Sequence, residues 1–265
     1  MNHQKNSILK SIYKQKQLEV KALYKGNDLL RLKELKNKNN KSFYQALQGD
    51  NLSLIAEVKK ASPSKGIINP YFDPLLLSNQ FQNQGASALS VLTDKLFFQG
   101  DPSFIPLINA HTSLPILRKD FIIDPIQVYE SVQLGASAIL LIQAILTQEQ
   151  ALNLAEIAHN KDLDVLMEVH NQKELENALN NPFIKIIGIN NRNLNSFEVD
   201  INLALSLKNI LSDRGFKGLV VAESGYTNLQ ELITLSKNSF QAVLIGEGLV
   251  KNKELLHAFK NNTKT

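Results

Sequence analysis

Where the apolar run Ile55-Ala56-Glu57-Val58-Lys59-Lys60 ends, the chain places a carboxylate and an amine two residues apart. In extended backbone successive side chains alternate faces, so Glu57 and Lys59 point the same way, about 7 Å apart, and Ala56 and Val58 point the other. The polar segment Ala61-Ser62-Pro63-Ser64-Lys65-Gly66 follows. Pro63 lacks an amide hydrogen and restricts Ser62, and Gly66 permits a turn, so a strand ends there and a loop begins. A carboxylate beside an ammonium group at a strand's carboxyl end suits proton transfer. An isolated Glu-x-Lys is more at home on a solvated strand, so the assignment depends on what else converges.

Other apolar runs end in the same way: Thr93-Asp94, Arg118-Lys119-Asp120, Glu168 with His170, Asn190-Asn191-Arg192, Glu223-Ser224-Gly225 and Gly246-Glu247-Gly248. Each alone is ordinary, since charges commonly flank strands; gathered on one rim they form a set of titratable groups that solvation does not explain. Two lysines and two or three carboxylates in one pocket push one another's proton affinities apart, so an acid and a base coexist near neutral pH. The same residues leave Schiff-base chemistry open, with Lys59 or Lys119 as a desolvated nucleophile. The turns at Gly225 and Gly248 let backbone approach an anion closely, which points to a substrate phosphate.

Positioning so many strand ends together is a matter of topology. Eight apolar runs, Leu52 to Val58, Ala88 to Leu92, Pro115 to Arg118, Ala138 to Ile142, Asp164 to Glu168, Lys185 to Ile189, Leu219 to Ala222 and Ala242 to Ile245, alternate with helical patterning. The helices are expected over Leu75 to Gln84, Phe104 to Ala110, Pro125 to Leu134, Thr147 to Asn160, Gln172 to Leu179, Ile201 to Leu211, Leu229 to Lys237 and Lys251 to Lys260. Eight βα units predict a closed (β/α)8 TIM barrel, of the α/β class, with its site at the carboxyl ends of the strands. The open doubly wound sheet is the structural alternative, but no Gly-x-Gly-x-x-Gly turn follows any of these runs. Residues 1–50 differ: Ile8, Ile12, Leu18 and Leu23 recur at helical spacing among lysines, and Ser42 starts a short helix that Gly49 ends, which predicts an amino-terminal helical extension with a solvated basic face.

Composition sets the remaining bounds. The 265 residues suit one barrel domain spanning 1–265. No apolar run is long enough to span a bilayer, and Met1 to Asn6 lacks a signal peptide's apolar segment, so a cytoplasmic location is expected. There is no cysteine, which removes disulfides, thiolate nucleophiles and cysteine-ligated metals; His3, His111, His159, His170 and His257 show no short metal-binding spacing. A net charge of +4 is too small and scattered for nucleic acid but compatible with an anionic small molecule. No metal, no nucleic acid and no membrane are the resulting expectations.

Six separated motifs carry a resemblance: Ile55 to Gly66, Val91-Leu92-Thr93-Asp94, Leu117-Arg118-Lys119-Asp120-Phe121, Glu168-Val169-His170, Gly188 to Leu194 and Ala222-Glu223-Ser224-Gly225. In this order, and with Ser42-Phe43-Tyr44 ahead of them, the chain resembles the indole-3-glycerol phosphate synthase family of tryptophan biosynthesis over nearly its whole length. The resemblance implies a (β/α)8 barrel with an amino-terminal extension and a cofactor-independent reaction. In it, 1-(2-carboxyphenylamino)-1-deoxyribulose 5-phosphate closes its pyrrole ring, losing carbon dioxide and water. Carried onto these residues, it makes Lys119 the general acid at the carbonyl oxygen. Glu168 and Lys59 then manage proton transfers in the dehydration, their order left open, and Glu57 and Asn190 orient these groups. It also implies Arg192 at the anthranilate carboxylate, Glu223 at the glycerol hydroxyls, Ser62, Ser224, Gly225, Gly246 and the Glu247 backbone around the phosphate, and Phe97 and Phe98 as an apolar wall. A monomer open to weak association with other enzymes of tryptophan synthesis is expected. Asp101 after Gly100, Ser137 and Asn69 depart from the family pattern, none of them at a catalytic position.

Competing readings remain: a Schiff-base aldolase, phosphoribosylanthranilate isomerase, whose cysteine base this chain lacks, or a catalytically silent barrel serving as a scaffold. Both lysines and Glu168 are retained, which counts against the last.

Overall fold

The computed structural model describes residues 8–39, 41–194 and 196–260; His3 and the opening segment Met1 to Asn6 lie outside them. Eight strands, β1 (Ser53–Val58), β2 (Ala88–Leu92), β3 (Ile116–Lys119), β4 (Ala138–Ile142), β5 (Asp164–Val169), β6 (Ile186–Asn190), β7 (Leu219–Glu223) and β8 (Ala242–Ile245), pair in parallel, each with its neighbours in sequence. The circle closes because β1 pairs with β8, Ser53 level with Ala242 and Ala56 with Ile245. Almost every strand position is buried, as expected where helices cover one face and packed side chains fill the other. With helices joining the strands, this is a (β/α)8 barrel.

Local chemistry sets the helix boundaries. Asp73, Asp124, Thr147, Asn171 and Asn228 each accept backbone N–H groups at a helix start, and Pro74 and Pro125 occupy first-turn positions that have no use for an amide hydrogen. The last expected helix, Lys251 to Lys260, runs Lys253–Lys260, and a separate short helix, Glu247–Lys251, precedes it after Gly246. Two-residue segments Ala61–Ser62 and Gly66–Ile67 pair antiparallel, so the loop after β1 holds a small ladder where only an irregular loop was expected.

The extension contains α1 (Ile8–Gly26), α2 (Leu29–Glu34) and α3 (Phe43–Ala46). The fully buried Phe43 and Leu47 pack among Leu117, Ala138, Ile186 and Ala242, at or near the starts of their strands, so α3 plugs the amino end of the barrel. Burying those two side chains contributes about 1.5–3 kcal/mol each. Ser42 caps α3, and Asp164 at the start of β5 accepts the Tyr44 N–H at 2.8 Å. Helix α1 runs along the opposite end. Its buried positions are Ile12, Lys16 and Val20, four residues apart, while Leu18, expected on the apolar face, is 60% exposed. The basic surface is not wholly solvated either: Lys16 is 1% exposed, its Nζ 2.9 Å from Asp94 Oδ2 and 2.7 Å from Asp120 Oδ1. Burial opposes that charge, but the two carboxylates outweigh it and raise the Lys16 pKa.

Candidate active site

The strand register brings the charged residues together from four directions. Glu57 of β1 is ion-paired through one oxygen with Lys59 Nζ, and its other oxygen lies 3.2 Å from Lys119 Nζ at the end of β3. Lys119 Nζ is also 3.6 Å from Glu223 Oε2 at the end of β7. Glu168 on β5 is level with Gly188 on β6, and Glu223 is level with Asn190. A side chain at position 188 would run into the Glu223 carboxyl and lie 3.2 Å from Leu166 Cδ1, so Gly188 opens the gap across which Glu223 faces Glu168. Gly246 does the same for Glu57, and a Cβ there would be 3.1 Å from Lys59 Nζ. Both glycines serve the site by clearing space, a role no sequence pattern announces.

Burial and charge then set the protonation states. Burial favours the neutral form of Glu57, yet the ammonium groups of Lys59 and Lys119 outweigh it and hold its pKa at about 2. Burial likewise opposes charge on Lys119, but Glu57, Glu223 and Glu168 raise its pKa, so it keeps its proton at neutral pH. Glu223 is pushed up to about 8 by burial and by the Glu168 charge, with Lys119 pulling the other way. Glu168 moves down despite its burial, because His170 and Lys119 stabilise its charge. Two facing carboxyls thus settle into unlike states, the condition for an acid and a base in one pocket.

A cavity of about 490 Å³ opens above this centre. Of the sequence-derived site residues, Glu57, Lys59, Ser62, Phe98, Lys119, Glu168, Asn190, Arg192, Ser224, Gly225, Gly246 and Glu247 line it. Glu223 sits beneath as a fully buried base plate, and Phe97 does not reach the lining. Phe98 alone supplies the aromatic face from that turn, with Phe121 at a ring distance of 6.0 Å. The backbone N–H groups of Phe97 and Phe98 both donate to Asp94 Oδ1, at 2.7 and 3.1 Å, which fixes the turn.

Beside the charged centre lie the turns after β7 and β8, Ser224 following Glu223 directly and Gly246 adjoining the Glu57 and Lys59 pair. Ser224 and Gly225 adopt left-handed backbone, φ 66° and 95°, and Asn191 braces them by donating to the Ser224 carbonyl at 3.0 Å and to the Tyr226 hydroxyl oxygen at 2.9 Å. Steric need explains part of the glycine content here. A Cβ on Gly225 would lie 2.5 Å from Val199 Cγ1, and one on Gly248 2.5 Å from the Tyr226 carbonyl oxygen. Arg192 donates its Nη1 to the Phe197 carbonyl at 3.1 Å and its backbone N–H to Asn190 Oδ1 at 3.0 Å. It lines both this cavity and a neighbouring one of about 790 Å³, bordered by Leu9, His170, Glu174 and Asp200. Among the described residues no group of three or more histidine and acidic side chains is arranged to hold a metal ion.

A (β/α)8 barrel with ammonium groups and unlike carboxyls at the carboxyl ends of its strands defines the class: an acid–base enzyme of the barrel type. The family model "Indole-3-glycerol phosphate synthase" matches residues 9–261. The chain is 43% identical over 253 residues to the indole-3-glycerol phosphate synthase of Chlorobium luteolum, covering 94% of this chain and 95% of that one. It is 41% identical over 248 residues to that of Legionella pneumophila strain Paris, covering 93% and 94%. This chain belongs to the indole-3-glycerol phosphate synthase family. A chain of the tryptophan synthase complex from Pyrococcus furiosus shares the fold, with a TM-score of 0.54 at 16% identity, covering 79% of this chain and 95% of that one.

Proposed function

We propose that this chain is an indole-3-glycerol phosphate synthase, a carbon–carbon lyase of tryptophan biosynthesis that converts 1-(2-carboxyphenylamino)-1-deoxyribulose 5-phosphate to indole-3-glycerol phosphate, carbon dioxide and water. One observation carries the assignment of roles: a single cavity joins the Lys119, Glu57 and Glu168 cluster at its floor to the Ser224-Gly225 and Gly246-Glu247 backbone at its wall. The substrate has the matching division, a reacting keto-amine at one end and a phosphate at the other.

In this reading the aromatic carbon that bears the carboxylate attacks the keto carbon, and the Lys119 ammonium donates to the carbonyl oxygen as charge develops there. A lysine that holds its proton firmly does not protonate a ground-state ketone; it stabilises the oxyanion and yields the proton as that oxygen becomes basic. Loss of carbon dioxide restores the aromatic ring. Departure of the new hydroxyl as water, with loss of a proton, completes the pyrrole, and Glu168 and Lys59 stand where those transfers occur. Glu57 orients both lysines, Asn190 fixes the Arg192 turn, and Arg192 receives the anthranilate carboxylate. Glu223 lies within reach of the glycerol hydroxyls only through the floor of the cavity. Ser62, Ser224, Gly225, Gly246 and the Glu247 backbone surround the phosphate, and Phe98 faces the aromatic ring, with Phe97 behind it.

Action as one domain, a monomeric state, weak association with other enzymes of tryptophan synthesis and a cytoplasmic location belong to the same proposal. No described helix is long and apolar enough to cross a membrane. Incubation with this substrate and borohydride tests the chemistry. Indole chromophore without a reduced lysine adduct is expected, whereas a covalent adduct on Lys59 or Lys119 would turn the assignment toward an aldolase.

A further inference from the structure

We propose that His170 is a positioning residue for Glu168: an imidazolium anchored on Glu174, it fixes the Glu168 carboxylate at the floor of the cavity and leaves Glu223 to carry the proton that two facing carboxyls must share. The proposal rests on the synthase reading for the role of Glu168, but its geometry stands independently.

Three observations converge. First, both ring nitrogens lie against carboxylates: Nδ1 is hydrogen-bonded to Glu174 Oε2 at 3.0 Å, and Nε2 lies 3.1 Å from Glu168 Oε1 at ion-pair distance, without hydrogen-bond alignment. A neutral imidazole donates from one nitrogen only and would turn a lone pair toward the other carboxylate, whereas an imidazolium serves both. Second, the anchor is itself held. Glu174 Oε2 also accepts the His170 backbone N–H at 2.9 Å, Oε1 accepts from Asn171 Nδ2 at 2.6 Å, and the Glu174 N–H donates to Asn171 Oδ1 at 2.9 Å. Glu174 lies in the first turn of the helix Gln172–Leu179, where the helix dipole favours a negative charge. Third, Gly188 admits Glu223 to the opposite side of Glu168, and among the described residues neither Glu223 oxygen has a hydrogen-bond donor. Two carboxyls in such contact are stable when one is protonated, and the member with the more distant cation protonates: Glu223 has Lys119 Nζ at 3.6 Å, whereas Glu168 has His170 Nε2 at 3.1 Å.

The charged groups around the histidine are accounted for. Glu168 precedes it on the same face of β5, Glu174 comes from the following helix, and Arg192, Glu198 and Asp200 border the cavity onto which it opens. Lys119 and Glu223 act on Glu168 from the far side. Burial opposes the imidazolium, but Glu168 and Glu174 together move its pKa up to about 10. The charge therefore persists through the neutral range, and the device is a fixed brace.

The test uses the full chain. With ¹⁵N-histidine labelling, both ring nitrogens of His170 should report imidazolium at pH 8; a neutral tautomer there overturns the proposal whatever the enzyme's activity. In folded His170→Gln the Glu168 carboxyl, followed by ¹³C, should titrate about 1–3 pH units higher than in the parent. The acid limb of kcat should move up with it, with KM changed less than about twofold. Glu174→Gln should shift both in the same direction by less. A His170→Gln protein that melts earlier but keeps the parent's carboxyl titration and pH profile would show a purely structural histidine and overturn the proposal. If His170→Gln does not fold, the parent's ¹⁵N spectrum and Glu174→Gln decide. An inactive parent would defeat the synthase reading while the two nuclear resonance measurements still decide the charge state.

Discussion

Replacing Lys119 with methionine keeps most of the side chain's stem and removes its ammonium group. In the folded protein that group touches Glu57 Oε1 at 3.2 Å and Glu223 Oε2 at 3.6 Å. Breaking a buried ion pair commonly costs about 3–5 kcal/mol, because one charge is left alone. Here neither partner is stranded. Glu57 retains Lys59, and Glu223, already in its neutral form, holds its proton more firmly without the ammonium group. The stability loss is therefore expected to stay under about 2 kcal/mol. Turnover should fall much further, since a donor that acts mainly as charge develops on the carbonyl oxygen is worth about 100- to 10,000-fold, or about 2.7–5.5 kcal/mol of barrier. KM should change little, because the group is engaged chiefly in the transition state. Melting temperature, substrate affinity and single-turnover rate measured on one preparation separate the two effects. A folded variant that turns over within about fivefold of the parent would refute the role given to Lys119, since that loss is under about 1 kcal/mol.

Lys16→Met should destabilise by about 3–5 kcal/mol, because Asp94 loses its only ion pair among the described residues and Asp120 retains Arg118 alone; urea unfolding checks this, and a loss below about 1 kcal/mol would show that α1 is not pinned through this lysine. Glu223 binds its proton more tightly when folded, so between about pH 4.5, the ordinary carboxyl value, and about 8 the folded state holds more protons than the unfolded one and stability falls as pH rises. Glu223→Gln should flatten that slope in chemical denaturation, and an unchanged slope would contradict the assignment. Gly246→Ala should cut turnover at least about tenfold with the fold intact, since the new methyl displaces the Glu57 and Lys59 pair; an alanine variant with parental kcat would mean the pair is not held in a working geometry.

The parts of the site that follow from strand alternation were legible in the sequence. Glu57 and Lys59 do share a face, and Lys119 and Asp120 do diverge, one into the cavity and the other to Lys16 and Arg118. The eight strands lie where short apolar runs stop at polar residues, because that transition marks the barrel's rim. What escaped depends on distant partners. Lys16 is one lysine among many on α1, and only Asp94 and Asp120, far along the chain, make it a core residue. Leu18 has no surface to cover once that face is chosen. Phe97 and Phe98 are adjacent and equivalent as text, and the Asp94 turn selects Phe98 for the cavity. Gly188 and Gly246 matter for the carboxylates they admit from other strands, and Gly225 for Val199 as well as for any anion. A bulky replacement at Gly225 therefore perturbs packing first and is a poor probe of phosphate binding.

The central claim is a ring closure coupled to decarboxylation by side chains of this barrel. It is tested most directly by supplying the purified chain, in excess chelator, with 1-(2-carboxyphenylamino)-1-deoxyribulose 5-phosphate labelled with ¹³C in its carboxylate, and measuring released carbon dioxide against indole chromophore. One labelled carbon dioxide per indole, at a rate that the chelator leaves unchanged, is the predicted result. Release of carbon dioxide without indole, no turnover, or activity that returns only on adding a divalent metal would contradict it.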